Sequence, residues 1–311
     1  MKKVACYGVR DVEKDIFESM NKYGYELSLY PELLTEDTIE TARGKDAVIL
    51  RANCIAEGSN LQKMKEYGVK YILTRTVGID HIDVALARSM GFEVAYVPGY
   101  SPNAVAELGL SFAMMLVRNT AAAVGNTSRG DFVIRSQYFS RELRNLRVGI
   151  IGVGRIGIVS AKTYKGFGAQ VFGFDPYPRK DAEEFLEYVS SIDDIARECD
   201  VVSIHIPYIK GENHHIIDES FVSKMREGSI LINVARGELV DCEAVLDGLA
   251  SGKIAGFATD VLENEARYFN KNINEQGLDE NNIVLRLNAL YPRVLITPHL
   301  GSSTDEACKN M

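Results

Sequence analysis

Short apolar runs recur along the chain with helical patterns between them, and they fall into two blocks. Lys3 to Val9, Glu26 to Tyr30, Asp46 to Arg51, Tyr71 to Thr76 and Glu93 to Val97 read as five strands. Their alternation with helices predicts a parallel, doubly wound sheet. Pro98-Gly99-Tyr100-Ser101-Pro102-Asn103 interrupts the pattern. Ala104 to Arg118 follows as a long apolar helix carrying Ala106, Leu110, Ala113, Met114 and Val117, with Ser101 as its cap and a proline in its first turn. This helix reads as a connector between the blocks. From Leu143 onwards a second set of runs, Val148 to Ile151, Val171 to Phe174, Val201 to Ile206, Ile230 to Val234, Phe257 to Val261 and Val294 to Thr297, predicts another parallel sheet. The sequence carries no short-period repeat and no low-complexity tract.

The first strand of the second block runs straight into Gly152-Val153-Gly154-Arg155-Ile156-Gly157, and Asp175 closes the next strand eighteen residues past the last of these glycines. Strand, glycine turn, helix from Arg155 to Phe167 and a second strand from Gln170 to Asp175 make the βαβ unit of a dinucleotide site. In such a unit Gly152 permits the tight turn, Gly154 lets the backbone approach a pyrophosphate, and Gly157 lets the helix pack close to its strand. The helix N-terminus then offers unpaired N–H groups to the phosphates. Asp175 can accept hydrogen bonds from both ribose hydroxyls and would repel a 2′-phosphate, which points to NAD rather than NADP. Arg179, four residues on, could soften that preference.

With 311 residues, 46% of them hydrophobic and 25% charged, the chain is long enough for two domains, each with its own core. The net charge of −8 argues against nucleic-acid and anionic-membrane partners. No apolar stretch reaches transmembrane length, and Met1-Lys2-Lys3 leads at once into a strand rather than into a signal peptide. Cys6, Cys54, Cys199, Cys242 and Cys308 are odd in number and form no C-x-x-C pair, as expected of reduced thiols in a cytoplasmic protein. His214-His215 lacks the helical spacing of a metal pair and reads as a solvated loop, so no metal is expected.

Three residues at the ends of late strands carry the chemistry. Arg236 follows Ser229 to Ala235, Glu265 follows Ala255 to Val261, and His299 follows Val294 to Pro298. Ligands of open α/β sheets bind at the carboxyl ends of the strands, which would bring all three to the crevice that holds the nicotinamide. Each alone has an ordinary structural explanation, but three in order beside a dinucleotide fingerprint describe a redox site.

Taken together the chain resembles the D-isomer-specific 2-hydroxyacid dehydrogenases. The resemblance spans nearly the whole chain and rests on Thr74-Arg75-Thr76-Val77-Gly78-Ile79-Asp80, Tyr100-Ser101-Pro102-Asn103-Ala104-Val105-Ala106-Glu107, Gly152 to Gly157, His205-Ile206-Pro207, Asn233-Val234-Ala235-Arg236-Gly237, Asp260-Val261 and Thr297-Pro298-His299. It implies two doubly wound, parallel-sheet α/β domains of Rossmann and flavodoxin-like type with a cleft between them. A discontinuous substrate domain, 1–100 with 299–311, would flank an NAD-binding domain, 101–298, and the protein would be a homodimer built on the latter. The resemblance places the catalytic triad on Arg236, Glu265 and His299. Arg236 supplies a permanently charged fork for the substrate carboxylate and the 2-oxo group. Histidine is the side chain that ordinarily titrates near neutrality, which suits His299 to pass a proton to and from the 2-hydroxyl. Glu265 would fix its tautomer and support the protonated ring needed for reduction. The resemblance further implies Val77 and Gly78 N–H groups as a nest for the substrate carboxylate, and Tyr100 as a pocket wall. Arg155 and Ile156 would lie at the NAD pyrophosphate, His205 and Pro207 beside the adenine-side ribose and nicotinamide, Val234 and Arg236 under the ring, and Asp260 at the carboxamide.

Substrate choice turns on Arg51 in Leu50-Arg51-Ala52-Asn53-Cys54, where a cation would favour a second carboxylate. The sequence is most similar to the lactate and 2-hydroxyglutarate branch, with its long Glu263 to Arg293 segment, and the expectation is interconversion of 2-oxoglutarate and (R)-2-hydroxyglutarate. (R)-Lactate and (R)-phenyllactate are the alternatives, and an NAD-sensing binding protein is the alternative of another class. A formate dehydrogenase would carry glutamine in place of Glu265, and a regulated phosphoglycerate enzyme often has an added domain. Family members continue from Thr297-Pro298-His299 into a helix that returns to the first domain; this sequence stops at Met311, with Ser303 or Thr304 as the cap, so the expectation is a short or truncated helix.

Overall fold

A computed structural model describes every residue except Tyr100, so the pocket-wall expectation for that residue lies outside the described residues. The chain divides into two compact units, Met1–Ser101 with Ser303–Met311, and Pro102–Ser302. Both are built on the parallel, doubly wound sheets that the alternation of apolar runs predicts.

In the first unit β1 (Lys3–Cys6), β2 (Glu26–Leu29), β3 (Ala47–Leu50), β4 (Tyr71–Thr74) and β5 (Glu93–Tyr96) lie in the order β2-β1-β3-β4-β5. Each strand is four residues long, one to three fewer than its predicted run, and Tyr7 and Val9 beyond β1 stay buried outside the strand. Tyr7, Leu34, Leu50, Leu61, Met64 and Ile72 are fully buried around them. Strand order reverses between β1 and β3, and the carboxyl ends there form the switch point at which such sheets bind ligands. The helix Asp305–Asn310 belongs to this unit; Thr304, not Ser303, caps it, accepting from Ala307 N–H at 3.2 Å.

The second unit contains β6 (Arg147–Ile151), β7 (Gln170–Phe174), β8 (Glu187–Tyr188), β9 (Val201–Ile204), β10 (Ser229–Asn233), β11 (Ile254–Thr259) and β12 (Val294–Ile296), ordered β12-β11-β10-β9-β6-β7-β8. This is the dinucleotide-fold order with one strand added, and its switch point lies between β6 and β9. Three features differ from the sequence expectation. The two-residue edge strand β8 is too short to leave an apolar run. The helix Pro102–Val117, which follows the first unit directly, is also part of the core of the second: Phe112, Ala113 and Val117 are buried in one cluster with Val148, Ile150 and Ile232 of the second sheet. It ends where Asn119 takes a left-handed backbone (φ 51°), and a second helix, Thr120–Thr127, follows. Residues 299–302 stay with this unit rather than joining the first, because Asp260 accepts from Leu300 N–H (2.6 Å) and Gly301 N–H (2.8 Å).

Candidate active site

The β6 turn is shaped by Gly152 and Gly157, which no other residue could replace without moving the backbone. Gly152 has φ +92°, and a Cβ there would lie 2.6 to 2.9 Å from Ile206 and His205, the residues that follow β9. A Cβ on Gly157 would sit 1.9 Å from the Gly152 carbonyl oxygen, so helix Arg155–Gly166 can pack this close only without a side chain. Gly154 has open space in place of a side chain, the access a pyrophosphate requires. Asp175 Oδ2 accepts from Val153 N–H and Oδ1 from Tyr177 N–H, both at 2.8 Å, which fixes the carboxylate beside the glycine turn. Arg179 forms a two-pronged pair with Asp181 (3.0 and 2.6 Å), so its charge is already engaged. Ile156 packs against the core and Val234 is buried. His205 Nε2 meets Ser203 Oγ at 2.9 Å, while its Nδ1 is buried without a partner. Burial depresses its pKa to about 4. Pro207 is exposed, and its carbonyl accepts from Asn213.

The three chemical residues are set by a second group of contacts. His299 Nδ1 and Glu265 Oε1 are 2.9 Å apart. A carboxylate can only accept, so Nδ1 carries the proton in this pair and Nε2 is left as the reactive nitrogen. Both partners sit on unusual backbone: His299 has φ 57°, and Asn264, which precedes Glu265, has the same angle. Asp260 holds the His299 loop. Its Oδ1 accepts from Thr297 Oγ1 (2.5 Å) and Leu300 N–H, its Oδ2 from Gly301 N–H, and its carbonyl from His299 N–H (2.9 Å). Burial raises the Asp260 pKa against the pull of these donors. Asp260, expected at a carboxamide, also shapes the loop that carries His299.

Arg236 leaves the end of β10 on a turn clamped by Asn233, whose Nδ2 donates to Arg236 O (2.8 Å) and whose Oδ1 accepts from Ala235 N–H (3.1 Å). Its Nη1 donates to Ala235 O at 2.8 Å. A Cβ on the next residue, Gly237, would lie 2.0 Å from Leu262 C and 2.2 Å from Glu263 N. That glycine brings the Arg236 turn against the segment leading to Glu265. Asn233 and Gly237 stand in the motif, yet their roles depend on which loop the turn meets.

The chain matches the family model described as D-isomer specific 2-hydroxyacid dehydrogenase, NAD binding domain, over residues 110–301. An aromatic 2-oxoacid reductase of Clostridium sporogenes is 38% identical over 99% of this chain and 92% of that protein. A crystal structure of a D-lactate dehydrogenase from Treponema pallidum superimposes with a TM-score of 0.86 at 35% identity, covering 99% of this chain and 92% of that one. The NAD-complexed D-isomer specific 2-hydroxyacid dehydrogenase of Lactobacillus delbrueckii ssp. bulgaricus gives 0.81 at 34% identity over 99% and 93%. The chain belongs to the D-isomer specific 2-hydroxyacid dehydrogenases. This dehydrogenase is an NAD-dependent enzyme, and the open Gly154 and the backbone-held Asp175 fit that cofactor.

In the first unit of the dehydrogenase, Arg51 lies just past β3, at the switch point. Its stem packs on Gly8, whose Cβ would meet it at 3.2 Å. Burial depresses its pKa, as do the neighbouring Arg10 and Arg75, with Glu13 opposing. Glu13 is already bound to Arg75 (2.5 Å), a pair buried on both sides. Among the described residues no carboxylate pairs with Arg51. After β4, Thr76 Oγ1 donates to Gly78 O (2.6 Å), and no described residue accepts from Val77 or Gly78 N–H. One expectation needs correction: His214 and His215 are not simply solvated. Both rings point Nε2 at the Glu263 carboxylate, at 3.4 and 3.0 Å.

Proposed function

We propose that this dehydrogenase reduces a 2-oxo acid bearing a second carboxylate, converting 2-oxoglutarate to (R)-2-hydroxyglutarate. The observation that carries the reading is Arg51: a partly buried guanidinium at a sheet switch point, next to two further arginines and without a carboxylate of its own. Leaving a cation desolvated and unpaired is costly, and an anionic substrate group relieves that cost. Val77 and Gly78 N–H groups suit the C1 carboxylate. Bound NADH would supply the hydride for C2. His299 in its doubly protonated form would give the Nε2 proton to the oxygen on C2 and keep the Nδ1 proton toward Glu265, and Arg236 would stabilise negative charge on the substrate.

A second reading, reduction of pyruvate or phenylpyruvate, is supported by the names of the relatives, a D-lactate dehydrogenase and an aromatic 2-oxoacid reductase. The test is NADH oxidation with 2-oxoglutarate, pyruvate and phenylpyruvate on the wild type and on Arg51→Gln. The dicarboxylate reading expects a selective fall in kcat/KM of about tenfold to a hundredfold for 2-oxoglutarate, the loss of one charged hydrogen-bonded contact. Equal activity on all three acids in both proteins rejects it.

The homodimer is likewise a proposal. Val124, Phe132, Val133, Ile134 and Phe139 are all more than 60% exposed within one stretch of the second unit, an apolar surface of the kind a second copy covers. Light scattering should give twice the 34.5 kDa chain mass; a monomer at micromolar concentration rejects the dimer. The five free cysteines fit a reducing compartment such as the cytoplasm.

A further inference from the structure

His214, His215 and Glu263 form a cluster outside the triad. The two imidazole rings are stacked, with centroids 3.9 Å apart and planes 24° from parallel, so both present Nε2 to one carboxylate. His215 reaches this position through a left-handed backbone (φ 52°), and its N–H is anchored on Glu238 O at 2.9 Å. The three ligating atoms all lie within 4.8 Å of one another. Two ligands on one tetrahedral zinc ion, each about 2.0 to 2.1 Å from the metal, sit about 3.3 Å apart. Here His214 Nε2 lies 3.4 Å from Glu263 Oε1 and His215 Nε2 lies 3.0 Å from Oε2, so each imidazole faces a different oxygen of the one carboxylate. The cluster therefore needs little rearrangement to take an ion in place of its protons. All three side chains are between 30% and 45% exposed, which leaves a path for entry and room for a water ligand.

We propose that His214, His215 and Glu263 form a binding site for one divalent transition-metal ion, of the zinc class. Two imidazoles and one carboxylate are the donor set that suits zinc, cobalt and nickel rather than magnesium or calcium, which prefer all-oxygen shells. The ion would tie the loop after β9 to Glu263, two residues before Glu265, while His215 N–H ties the same loop to Glu238, two residues after Arg236. The site thus acts as a clamp on the two turns that carry triad residues, separate from the hydride-transfer chemistry.

The test uses the full-length, untagged chain stripped of metal with a chelator. Zn²⁺ is added in a calorimetric titration, and Co²⁺ in a parallel one followed by its visible ligand-field absorption. One ion per chain is expected, with tetrahedral-type Co²⁺ absorption and a raised Tm. His214→Asn, His215→Asn and Glu263→Gln should each weaken binding at least tenfold; asparagine tolerates the left-handed backbone at 215. His214→Asn without metal should keep wild-type turnover. Cys242→Ser removes a nearby thiol and should leave the affinity unchanged. Failure of the wild type to bind one Zn²⁺, or wild-type affinity in both His214→Asn and Glu263→Gln, would overturn the site.

Discussion

The carboxyl ends of the two sheets differ in what the protein leaves unfinished. At the second sheet the loops around the Glu265–His299 pair are held by internal partners: Glu265 holds His299, Asp260 holds Thr297, Leu300 and Gly301, and Asn233 holds the Arg236 turn. At the first sheet, Arg51 lacks a carboxylate among the described residues, and the N–H groups of Val77 and Gly78 donate to none of them. On the proposed function, the groups assigned to proton transfer are held by the chain, whereas those assigned to the substrate are left for a ligand to complete. Pre-set groups lose little free energy on reaching reactive geometry, and open groups decide which acid binds.

The largest effect should come from breaking the pre-set side. His299→Gln removes the proton donor and is expected to lower kcat by about a hundredfold to ten-thousandfold in steady-state NADH oxidation. Glu265→Gln, which keeps the shape but weakens the hold on Nδ1, should cost less. If His299→Gln retains wild-type kcat, the pairing at 2.9 Å has no part in proton transfer.

A smaller effect is expected beneath the open side. Glu13→Ala leaves Arg75 buried without its partner, and should destabilise the first unit by about 3 kcal/mol in urea unfolding. An unchanged midpoint would mean that the Arg10–Arg51–Arg75 cluster tolerates its charge without that carboxylate.

Acid should act more gently on both sheets. The native His205 pKa of about 4 lies below the ordinary value of 6.5, so between these pH values the unfolded chain takes the proton and the native chain does not. Burial pushes the Glu13 pKa up, but Arg75 and Arg10 outweigh it, so the net shift is down and its stabilisation is lost as the carboxyl protonates. The raised pKa of Asp260 works in the opposite direction. Tm should therefore fall by a few degrees between about pH 6.5 and 4, and His205→Gln should flatten that slope. A wild-type Tm that rises on acidification contradicts this account.

Much of the fold is legible in the sequence because local pattern and local chemistry coincide. Gly152, Gly154 and Gly157 announce the turn, and the apolar runs place the strands to within about three residues at their ends. The meeting of Glu265 and His299 is legible because each follows a strand of the same sheet. What escaped depends on contacts made far along the chain. Asparagine tolerates a left-handed backbone, but nothing near Asn119 says that this asparagine, rather than another, will end the helix. The hold of Asp260 on the His299 loop shows only once its oxygens are found on Leu300 and Gly301, forty or more residues away. His214-His215 reads as solvent-facing until Glu263 closes on it from nearly fifty residues away.

The contrast between finished and unfinished ends can be read directly by residue-resolved amide exchange, with and without a 2-oxo acid in the presence of NAD. The account predicts that Leu300 and Gly301 amides, both bonded to Asp260, are protected before any ligand is added. Val77 and Gly78 amides should exchange rapidly in the free enzyme and slow at least tenfold when the acid binds. Val77 and Gly78 already protected without ligand, or Leu300 and Gly301 protected only with it, would contradict the account.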